Sequence, residues 1–523
     1  MSSVQTPPTY LLSEFAIVVD PKDNVAVVKK ETSPGLELLL PNESTLELRG
    51  AIPPGHRFAI RDIPAGEFVL QFGQPIGTSL GISQGEQITH DNMSDEVPIV
   101  RELPQNLHTP PPDYFPLDQR PTFMGYRRPD GRVGTRNFVL IVPTSMCASH
   151  EALQISTIAE FTLYDRMKYP NVDGVVAIPH NKGCGCQDGS TIDVMLRTLS
   201  NYADHPNVGG VILIDLGCEK TNLAQVEKYL LKREREFSKP VAKIGIQEVG
   251  GTQAAIQRGL KEVEQMLPLV NKVGREECSV SDLVLGVKCG GSDGFSGISA
   301  NPSLGRAADL LVRSGGTVLI TEVPEFCGAE HLLASRAKNA EIGRAVYRMV
   351  DWYKDYASKF GAVLNNNPSP GNIAGGLLNI TIKSLGAIAK AGTTRIEGVV
   401  EYAETPTDRG LNLMQGPGYD QESTPGLVAA GATVVVFTTG RGTTIGNAIT
   451  PVIKLASNTP VFERMSNDLD LSAGGVIDGT ETIDEVGQRV FEHIIAVATG
   501  LQAKAEVHKH REFQFWAEQT VSL

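Results

Sequence analysis

The sequence lacks the features of a membrane, secreted or disulfide-rich protein. It contains no apolar run of about 18 residues or more, so we expect no membrane-spanning helix. Its first residues show no basic stretch followed by an apolar one, so we expect no secretory signal. Cysteine is scarce, with seven among 523 residues, which argues against a disulfide framework and indicates a reducing, cytoplasmic environment.

Two absent motifs and a shortage of basic residues argue against further kinds of site and partner. No two cysteines are spaced as CxxC, which argues against a zinc ribbon or a thioredoxin-like dithiol. No GxxxxGK motif followed by Ser or Thr is present, so a nucleotide phosphate loop is not supported. The 47 Lys and Arg residues are outnumbered by 60 Asp and Glu, which gives a net charge of −13. Nucleic acid and anionic membranes are therefore disfavoured partners, whereas a small anionic substrate needs only a local Arg, Lys or metal cation.

The length and local texture predict roughly three folded regions. Residues 14–98, the N-terminal module, contain short strand-like runs such as FAIVV and FVLQFG between turns such as PPGH and IPAGE. This pattern predicts a small β-rich unit. Residues 99–122 form a predicted linker, and the six prolines between residues 104 and 122 favour an extended chain.

From residue 123 onwards, strands alternate with helices. Apolar, β-branched runs such as NFVLIVP and GGVILID are separated by helical stretches such as TIDVMLRTLSNYADH. The alternation predicts an α/β fold with mainly parallel sheets, in a central domain (123–275) and a C-terminal domain (281–523). Ligands of such sheets bind at the carboxyl ends of the strands.

Four cysteines share one context in this pattern. Cys147, Cys184, Cys218 and Cys289 each follow a strand-like run and precede or adjoin a turn. A single buried cysteine is ordinary core filling, but four at equivalent strand ends favour a metal-binding or catalytic role for at least two of them. Cys186, Cys278 and Cys327 lack this context.

The stretch HNKGCGC adds an imidazole to one of these thiols. His180 lies four residues before Cys184, and imidazole with thiolate suits iron or zinc. The alternative is a histidine that is simply hydrogen-bonded within its loop.

Two glycine-rich loops could bind an anion. In CGGSDGFSGISANPSLGR, successive backbone N–H groups could form an anion nest, and Ser292, Asp293 and Asn301 could contact substrate hydroxyls. The alternative is a series of structural turns before a helix. In TTGRGTT, Arg441 could clamp a carboxylate in bidentate fashion, or could be a solvated loop residue.

Several motifs together resemble the signatures of the altronate dehydratase / galactarate dehydratase family. They are GYRRPDGRVGTRN, HNKGCG, LGCE, CGGSDGFSGISANPSLG, NPSPGN and FTTGRGT, and GHRFAIRDIPAGE is similar to the family's N-terminal SAF domain. The resemblance covers essentially the whole chain. It implies an iron(II)-dependent hydro-lyase that converts a sugar acid to its 2-keto-3-deoxy acid, and a more distant branch removes sulfite from sulfolactate.

The resemblance leaves the form of the iron open. One form is a mononuclear Fe2+ with mixed N, O and S ligands, and the other is an iron–sulfur cluster with one iron acting as Lewis acid. The candidate metal ligands are Cys147, Cys184, Cys218, Cys289 and His180.

The same hypothesis assigns catalytic and substrate-binding residues. Catalysis by β-elimination needs a base for the C2 proton and an acid for the leaving hydroxyl. The candidate catalytic residues are His180, Lys288 and Asp293, and the candidate substrate-binding residues are Arg136, Ser292, Asn301 and Arg441. Two alternatives remain: a lyase acting on another 2-hydroxy acid such as sulfolactate, and a non-catalytic sugar-acid binding protein. A homo-oligomer is left open, and the N-terminal module could be a lid or an assembly surface.

Overall fold

The N-terminal module is built from short strands, as its sequence predicts. The computed structural model describes residues 9–232 and 237–516. Nine strands of the module form three three-stranded sheets, ordered β1-β4-β5, β2-β3-β6 and β7-β8-β9. The elements are β1 (Tyr10–Leu11), α1 (Leu12–Phe15), β2 (Ala16–Ile17), β3 (Val25–Val28), β4 (Glu37–Leu39), β5 (Thr45–Glu47), β6 (Arg57–Ala59), β7 (Phe68–Gln71), β8 (Gln74–Ser79) and β9 (Met93–Ser94).

The linker lies along the C-terminal domain. Arg101 pairs with Glu330 and Asp351, each at 2.6 Å. The Thr109 hydroxyl donates to the Ala337 carbonyl over 2.8 Å. The predicted extended segment is therefore a strap fixed to the domain that follows it.

The central domain contains a four-stranded parallel sheet in the order β13-β12-β14-β15. Strand β10 pairs antiparallel with β11 and β16 at its side. The elements are β10 (Thr122–Arg127), β11 (Val133–Gly134), β12 (Phe138–Pro143), α2 (Met146–Thr162), β13 (Gly174–Ala177), α3 (Ser190–Asp204), β14 (Val208–Asp215), α4 (Leu223–Leu231), β15 (Val241–Gly245), α5 (Ile246–Val249), α6 (Thr252–Val270) and β16 (Glu276–Ser279). The stretch TNLAQVEKYLLKREREF, residues 221–237, has the pattern of a helix, and its residues 233–236 lie outside the described residues.

The C-terminal domain contains a seven-stranded, all-parallel sheet in the order β19-β20-β18-β17-β21-β22-β23. Its strands are β17 (Val284–Cys289), β18 (Thr317–Ile320), β19 (Ile396–Val400), β20 (Gly410–Met414), β21 (Val434–Thr439), β22 (Val452–Ala456) and β23 (Leu471–Ser472). Its helices are α7 (Ala300–Arg313), α8 (Glu330–Ala334), α9 (Ala340–Ser358), α10 (Pro370–Ala374), α11 (Ile380–Ile388), α12 (Asp420–Ala429), α13 (Thr459–Arg464), α14 (Gly474–Asp478), α15 (Ile483–Thr499) and α16 (Lys504–Val507). Short 3-10 turns lie at Leu117–Gln119, Val280–Asp282, Val323–Phe326, Leu364–Asn366 and Ala389–Ala391.

The two α/β domains share an apolar core. One cluster of buried side chains includes Leu140 and Val211 of the central sheet together with Leu427 and Phe437 of the C-terminal domain. The predicted α/β class with parallel sheets is confirmed. Among the described residues, no helix is long and apolar enough to cross a membrane.

Candidate active site

A buried acid–lysine network lies at the carboxyl end of β17, the middle strand of the C-terminal sheet. Lys288 and Cys289 are the last two residues of this strand. The Lys288 ammonium contacts the Glu322 carboxylate and lies 3.0 Å from Asp420 Oδ1. It also donates to the Ser423 hydroxyl over 2.7 Å. A lysine at the end of an apolar strand is thus held by two acids from neighbouring loops.

Two further lysines extend the network from α11 and the turn after it. Lys390 lies 2.8 Å from Glu322 Oε2 and donates to Cys289 Sγ over 3.1 Å. Lys383 lies 2.9 Å from Glu325 Oε1. The Cys289 thiol donates to the other oxygen of Glu325 over 3.2 Å. Lys288, Cys289, Glu322, Glu325, Lys383, Lys390 and Asp420 are called the acid–lysine network below.

Opposite charges lie close together in the network. Burial alone would lower the pKa of Lys288, but the carboxylates of Glu322 and Asp420 outweigh it and raise that pKa to about 12. Burial would raise the pKa of Glu325, but Lys383 and Lys390 lower it to about 2. Three lysines therefore face three acids, and the attraction between opposite charges offsets part of the cost of burying them. Burial, followed by the negative charge of Glu325, nevertheless raises the pKa of Glu322.

Cys289 is a neutral thiol within this network. Burial, followed by the negative charge of Glu325, raises the pKa of Cys289 to about 12, against the opposing effect of Lys390. Glu322 has a positive φ of 76°, a conformation that non-glycine residues rarely adopt. Such strain is typical of functional sites, where the surrounding contacts hold the residue in place.

The network contains one group of possible metal-ligand atoms. Ligand atoms of Cys289, Glu322 and Glu325 lie within 4.8 Å of one another, and over residues 9–232 and 237–516 this is the one such group of three or more. Both carboxylates already bind lysine ammonium groups, so a metal ion here would compete with these lysines for its ligands. The assignment of Cys289 as an iron ligand stays a prediction, and the observed partners of its thiol are Glu325 and Lys390.

The other three cysteines of the predicted set lie together on the central domain. Cys147 is the second residue of α2, which follows β12, and Cys184 and Cys218 lie in the loops after β13 and β14. All three are free and exposed. Because these strands are neighbours in one parallel sheet, their carboxyl ends meet at one edge. We call the segments 144–149, 180–188 and 216–220 the thiol loops.

Hydrogen bonds tie the thiol loops to one another. Met146 N–H donates to the Lys182 carbonyl over 2.6 Å. The Ser145 hydroxyl donates to Glu219 Oε1 over 2.9 Å. The Lys220 ammonium donates to the Cys186 carbonyl over 3.2 Å. Soft thiolate ligands suit iron and iron–sulfur clusters, but the three sulfur atoms do not all lie within 4.8 Å of one another, so their assignment as iron ligands stays a prediction.

His180 has a structural position beside these loops. Its Nε2 lies 3.0 Å from the Pro143 carbonyl, and its Nδ1 accepts the Lys182 N–H over 3.2 Å. Its ring also packs on Phe515, with centroids 4.6 Å apart. Burial lowers the pKa of His180 to about 4, so the ring is neutral near pH 7. Both ring nitrogens are engaged within the loop, so His180 orders its loop, and its roles as base and metal ligand stay predictions.

Arg136 is a framework residue. Its guanidinium pairs with Glu506, at 2.6 Å for Nε, and also donates to the carbonyls of Thr135, Val497 and Leu501. These contacts use all five N–H donors, which leaves none for a substrate. The assignment of Arg136 to substrate binding stays a prediction, and these contacts do not support it.

The loop CGGSDGFSGISANPSLGR, one of the two predicted anion-binding loops, is partly held by its own hydrogen bonds. Asp293 Oδ1 accepts from the hydroxyls of Ser296 and Ser457, and its Oδ2 accepts from Asn458. Burial raises the pKa of Asp293 despite these hydrogen bonds. Asn301 bonds the Gly386 carbonyl and the Thr438 hydroxyl. Asp293 and Asn301 therefore brace the loop.

Ser292 and Arg441 remain available for a ligand. The Ser292 hydroxyl is buried and has no hydrogen-bond partner in the described part of the chain. The Arg441 side chain is exposed, and its backbone N–H donates to the Gly291 carbonyl over 2.9 Å. Their roles in substrate binding stay predictions.

Glu422 lies at the start of α12, near Lys182 of the thiol loops. It lies in the first turn of α12, two residues after Asp420, and Gln514 donates to its Oε1 over 3.4 Å. Burial raises the pKa of Glu422 to about 7, although the ammonium of Lys182 acts in the opposite direction. Lys182 belongs to the thiol loops, so these loops lie close to the start of α12.

Sequence reasoning missed most of the acid–lysine network, although some signals were present. Lys383 and Lys390 are seven residues apart in the otherwise apolar stretch TIKSLGAIAKAG, a spacing that places two charges on one helix face. Glu322 and Glu325 follow a buried strand at a spacing of three. Nothing in the sequence indicates that these charges meet Lys288.

Another cavity lies away from the acid–lysine network. It has a volume of about 420 Å³ and is lined by residues that precede β17, β18 and β21. This is the amino end of the C-terminal sheet, opposite the acid–lysine network. Its Arg409 pairs with Asp282 and its Arg132 with Asp130, so these cations are already neutralised.

Comparison with known proteins gives matches over most of the chain. Residues 14–96 match the altronate/galactarate dehydratase SAF domain, and 125–271 match the second domain of D-galactarate dehydratase/altronate hydrolase. Residues 280–521 match the D-galactarate/altronate dehydratase C-terminal domain.

Characterised relatives match over similar lengths. Galactarate dehydratase (L-threo-forming) of Escherichia coli is 40% identical over 494 residues, 93% of each chain. Altronate dehydratase of Bacillus subtilis is 35% identical over 506 residues, 95% of this chain and 97% of the relative. The (2R)-sulfolactate sulfo-lyase subunit beta of Chromohalobacter salexigens is 34% identical over 395 residues, 75% of this chain and 96% of the relative.

Proposed function

The chain belongs to the D-galactarate/altronate dehydratase family of hydro-lyases, and on this premise we propose that it eliminates water from a sugar acid such as galactarate or altronate. The product is the corresponding 2-keto-3-deoxy acid. The observation that carries the proposal is the buried acid–lysine network at the carboxyl edge of the parallel sheet, where ligands of such folds bind.

The chemistry of the elimination explains why such a network is useful. The proton next to a carboxylate is weakly acidic, and its removal places negative charge on the carboxylate oxygens. Lysine ammonium groups held in a water-poor site stabilise charge that develops in the transition state. Lys383 contacts Glu325 and donates to Asn367 Oδ1 over 2.8 Å, and it is the ammonium that we assign to this task.

We assign the proton transfer to Glu422. A general base works best when its pKa lies near the working pH, and burial brings the pKa of Glu422 to about 7. The lysines of the network keep their protons, because the acids around Lys288 raise its pKa to about 12. Lys288 therefore acts as a positioning residue that holds Asp420 and the start of α12.

We propose iron as the cofactor, held by Cys147, Cys184 and Cys218. The donor set is three exposed thiols on hydrogen-bonded loops. Iron, when bound, supplies a Lewis acid that assists departure of the hydroxyl group. The chain's own part is to present three thiols next to Lys182 and Glu422.

A substrate panel tests this function. Purified protein loaded with iron without oxygen is incubated with galactarate, altronate, glucarate and sulfolactate, and 2-keto acid and sulfite are measured. Formation of 2-keto acid from a sugar acid supports the proposal. Release of sulfite from sulfolactate would support the second candidate, which the relative of Chromohalobacter salexigens favours. Binding without turnover would leave a sugar-acid binding protein.

The form of the iron is tested separately. Iron and acid-labile sulfide are measured in the active protein, together with its electronic spectrum. A cluster requires labile sulfide, so its absence from active protein would eliminate the cluster and leave mononuclear iron.

A further inference from the structure

The position of Lys383 depends on how α11 begins. This helix starts directly after Asn379, whose Oδ1 accepts the Ile382 N–H over 2.9 Å and so caps the first turn. Lys383 is the fourth residue of the helix, and its ammonium lies 2.9 Å from Glu325 Oε1 and donates to Asn367 Oδ1 over 2.8 Å. The start of α11 and the loop that contains Asn367 therefore set where this ammonium lies.

One carboxylate of the N-terminal module contacts both of these segments. Asp95 is the residue after β9, and its two partners lie 270 and 284 residues further along the chain. Its Oδ1 accepts from Asn379 Nδ2 over 2.8 Å, and its Oδ2 accepts from Asn365 Nδ2 over 3.0 Å. The Asn379 Nδ2 also donates to the Ile76 carbonyl of β8 over 2.8 Å. The start of α11 is thus attached to the N-terminal module at β8 and at the end of β9.

The two asparagines connect Asp95 to the backbone of α11. Asn365 Oδ1 accepts the Ile380 N–H over 3.2 Å, and Asn379 Oδ1 accepts the Ile382 N–H. Each amide therefore presents its nitrogen to the carboxylate and its oxygen to an N–H group that has no partner within the helix. A carboxylate can only accept hydrogen bonds, so Asp95 fixes the orientation of both amides.

The same carboxylate acts on the loop beside Lys383. Asn365 lies in the 3-10 turn Leu364–Asn366, and the Asn367 N–H donates to the Leu364 carbonyl over 3.1 Å. Because this bond closes the turn, a displacement of Asn365 would also move Asn367, which accepts from the Lys383 ammonium. The carboxylate is therefore connected to the ammonium by two routes, the helix and the turn.

We propose that Asp95 is a positioning residue for the elimination, and that it places the Lys383 ammonium through Asn365 and Asn379. The role of Lys383 in stabilising negative charge rests on the proposed function. A charged group stabilises a transition state only at the right place, and a misplacement of about 1 Å can lower the rate about hundred-fold. The N-terminal module is then part of the catalytic structure, rather than a lid or an assembly surface alone.

Asp95→Asn and Asp95→Glu test the role. Asp95→Asn replaces one acceptor oxygen by an NH2 group, which cannot accept from an asparagine Nδ2, so one of the two amides must turn or lose its partner. We expect kcat to fall about ten- to hundred-fold with KM close to the wild-type value, because the charge that Lys383 stabilises develops in the transition state. Asp95→Glu keeps both acceptor oxygens and should recover part of kcat. Asp91→Asn, at an exposed acid of the same segment, is the control and should change neither constant.

A double-variant cycle separates the positioning of Lys383 from a general loss of structure. In the Lys383→Met background the ammonium is absent, so adding Asp95→Asn should lower kcat no further. Independent losses that multiply would overturn the proposal, as would an Asp95→Asn protein that melts at a lower temperature but keeps the wild-type kcat. If Lys383→Met has no measurable turnover, Asp95→Glu decides the question, and a kcat as low as that of Asp95→Asn would overturn the proposal.

Hydrogen exchange at the start of α11 tests the contact without turnover. The amides of Ile380 and Ile382 should exchange faster in Asp95→Asn than in wild type, whereas Asp91→Asn should match wild type. Equal exchange in Asp95→Asn and wild type would overturn the positioning role. If wild-type protein turns over no acid, the proposed function fails, and the exchange rates alone then decide whether Asp95 holds the start of α11.

Discussion

Lys390 donates a hydrogen bond to the sulfur of Cys289 over 3.1 Å, and thereby places an ammonium group against a thiol that the sequence suggested as a metal ligand. The same ammonium lies 2.8 Å from Glu322. This ammonium group therefore lies against two of the groups that a metal ion at this position would need as negatively charged ligands. The strand-end cysteines therefore divide into two sets with different chemistry.

Cys289→Ser should keep most of the activity. A serine hydroxyl can donate to Glu325 and accept from Lys390 as the neutral thiol does, so we expect a loss of no more than about ten-fold in kcat/KM. The measurement is steady-state kinetics with iron content determined on the same sample. Loss of iron from this variant would support Cys289 as an iron ligand.

Glu322→Gln should destabilise the protein. It leaves the ammonium groups of Lys288 and Lys390 buried with one carboxylate fewer, a change that costs about 3–5 kcal/mol in comparable buried pairs. Urea denaturation should show the lower free energy of unfolding. The exposed Glu67→Gln is the matched control and should lie within about 0.5 kcal/mol of wild type.

Cys184→Ser and Cys186→Ser should behave differently. Cys184 is an exposed thiol of the proposed iron site, whereas Cys186 lies in the same loop with its carbonyl bonded to Lys220. We expect Cys184→Ser to lose iron and activity, and Cys186→Ser to keep both. Metal analysis and turnover on the same preparations check this, and equal losses in the two variants would contradict the division.

The activity should depend on the ionisation of Glu422. Because burial raises its pKa to about 7, the base form is lost as the pH falls below 7, and kcat should fall with it. Glu422→Gln should lower kcat strongly and remove this acidic limb. A limb that persists unchanged in residual activity would assign it to another group.

The same shift has a consequence for stability. A carboxyl group with a pKa above its unfolded value of about 4.5 stabilises the fold below that pH, and the contribution is lost as the pH rises through about 7. The free energy of unfolding of Glu422→Gln, compared with that of wild type, should therefore become more favourable to the variant as the pH rises from 4.5 to 7.5. Chemical denaturation at both pH values measures the difference.

Local patterns predicted the fold well, because they report local physics. The run NFVLIVP became β12 and TIDVMLRTLSNYADH became α3, since apolar periodicity marks the faces that must be buried. The cysteines after β12, β13 and β14 could be placed at one edge from the strand order of a parallel sheet. The resemblance of the motifs to the family was confirmed by matches across the chain.

Contacts between residues far apart in the chain could not be predicted from the sequence. The partners of Lys288 lie at position 322, in the loop after β18, and at positions 420 and 423, in the first turn of α12. Similarly, the use of all five donors of Arg136 depends on Glu506, 370 residues away. Motif position alone placed these residues near function, but only the packing shows which of their polar atoms are already engaged.

The strap formed by the linker limits what the N-terminal module can do. Strand β9 ends at Ser94, and Arg101 pairs with Glu330 of the C-terminal domain. Only the short stretch of chain between Ser94 and Arg101 therefore connects the module to the point where the linker is fixed. If the N-terminal module separated from the C-terminal domain, the short connection would keep the module at a high effective concentration beside that domain. The module could move only by rotating about this stretch of chain. Its return to the C-terminal domain would be a first-order process whose rate does not depend on protein concentration.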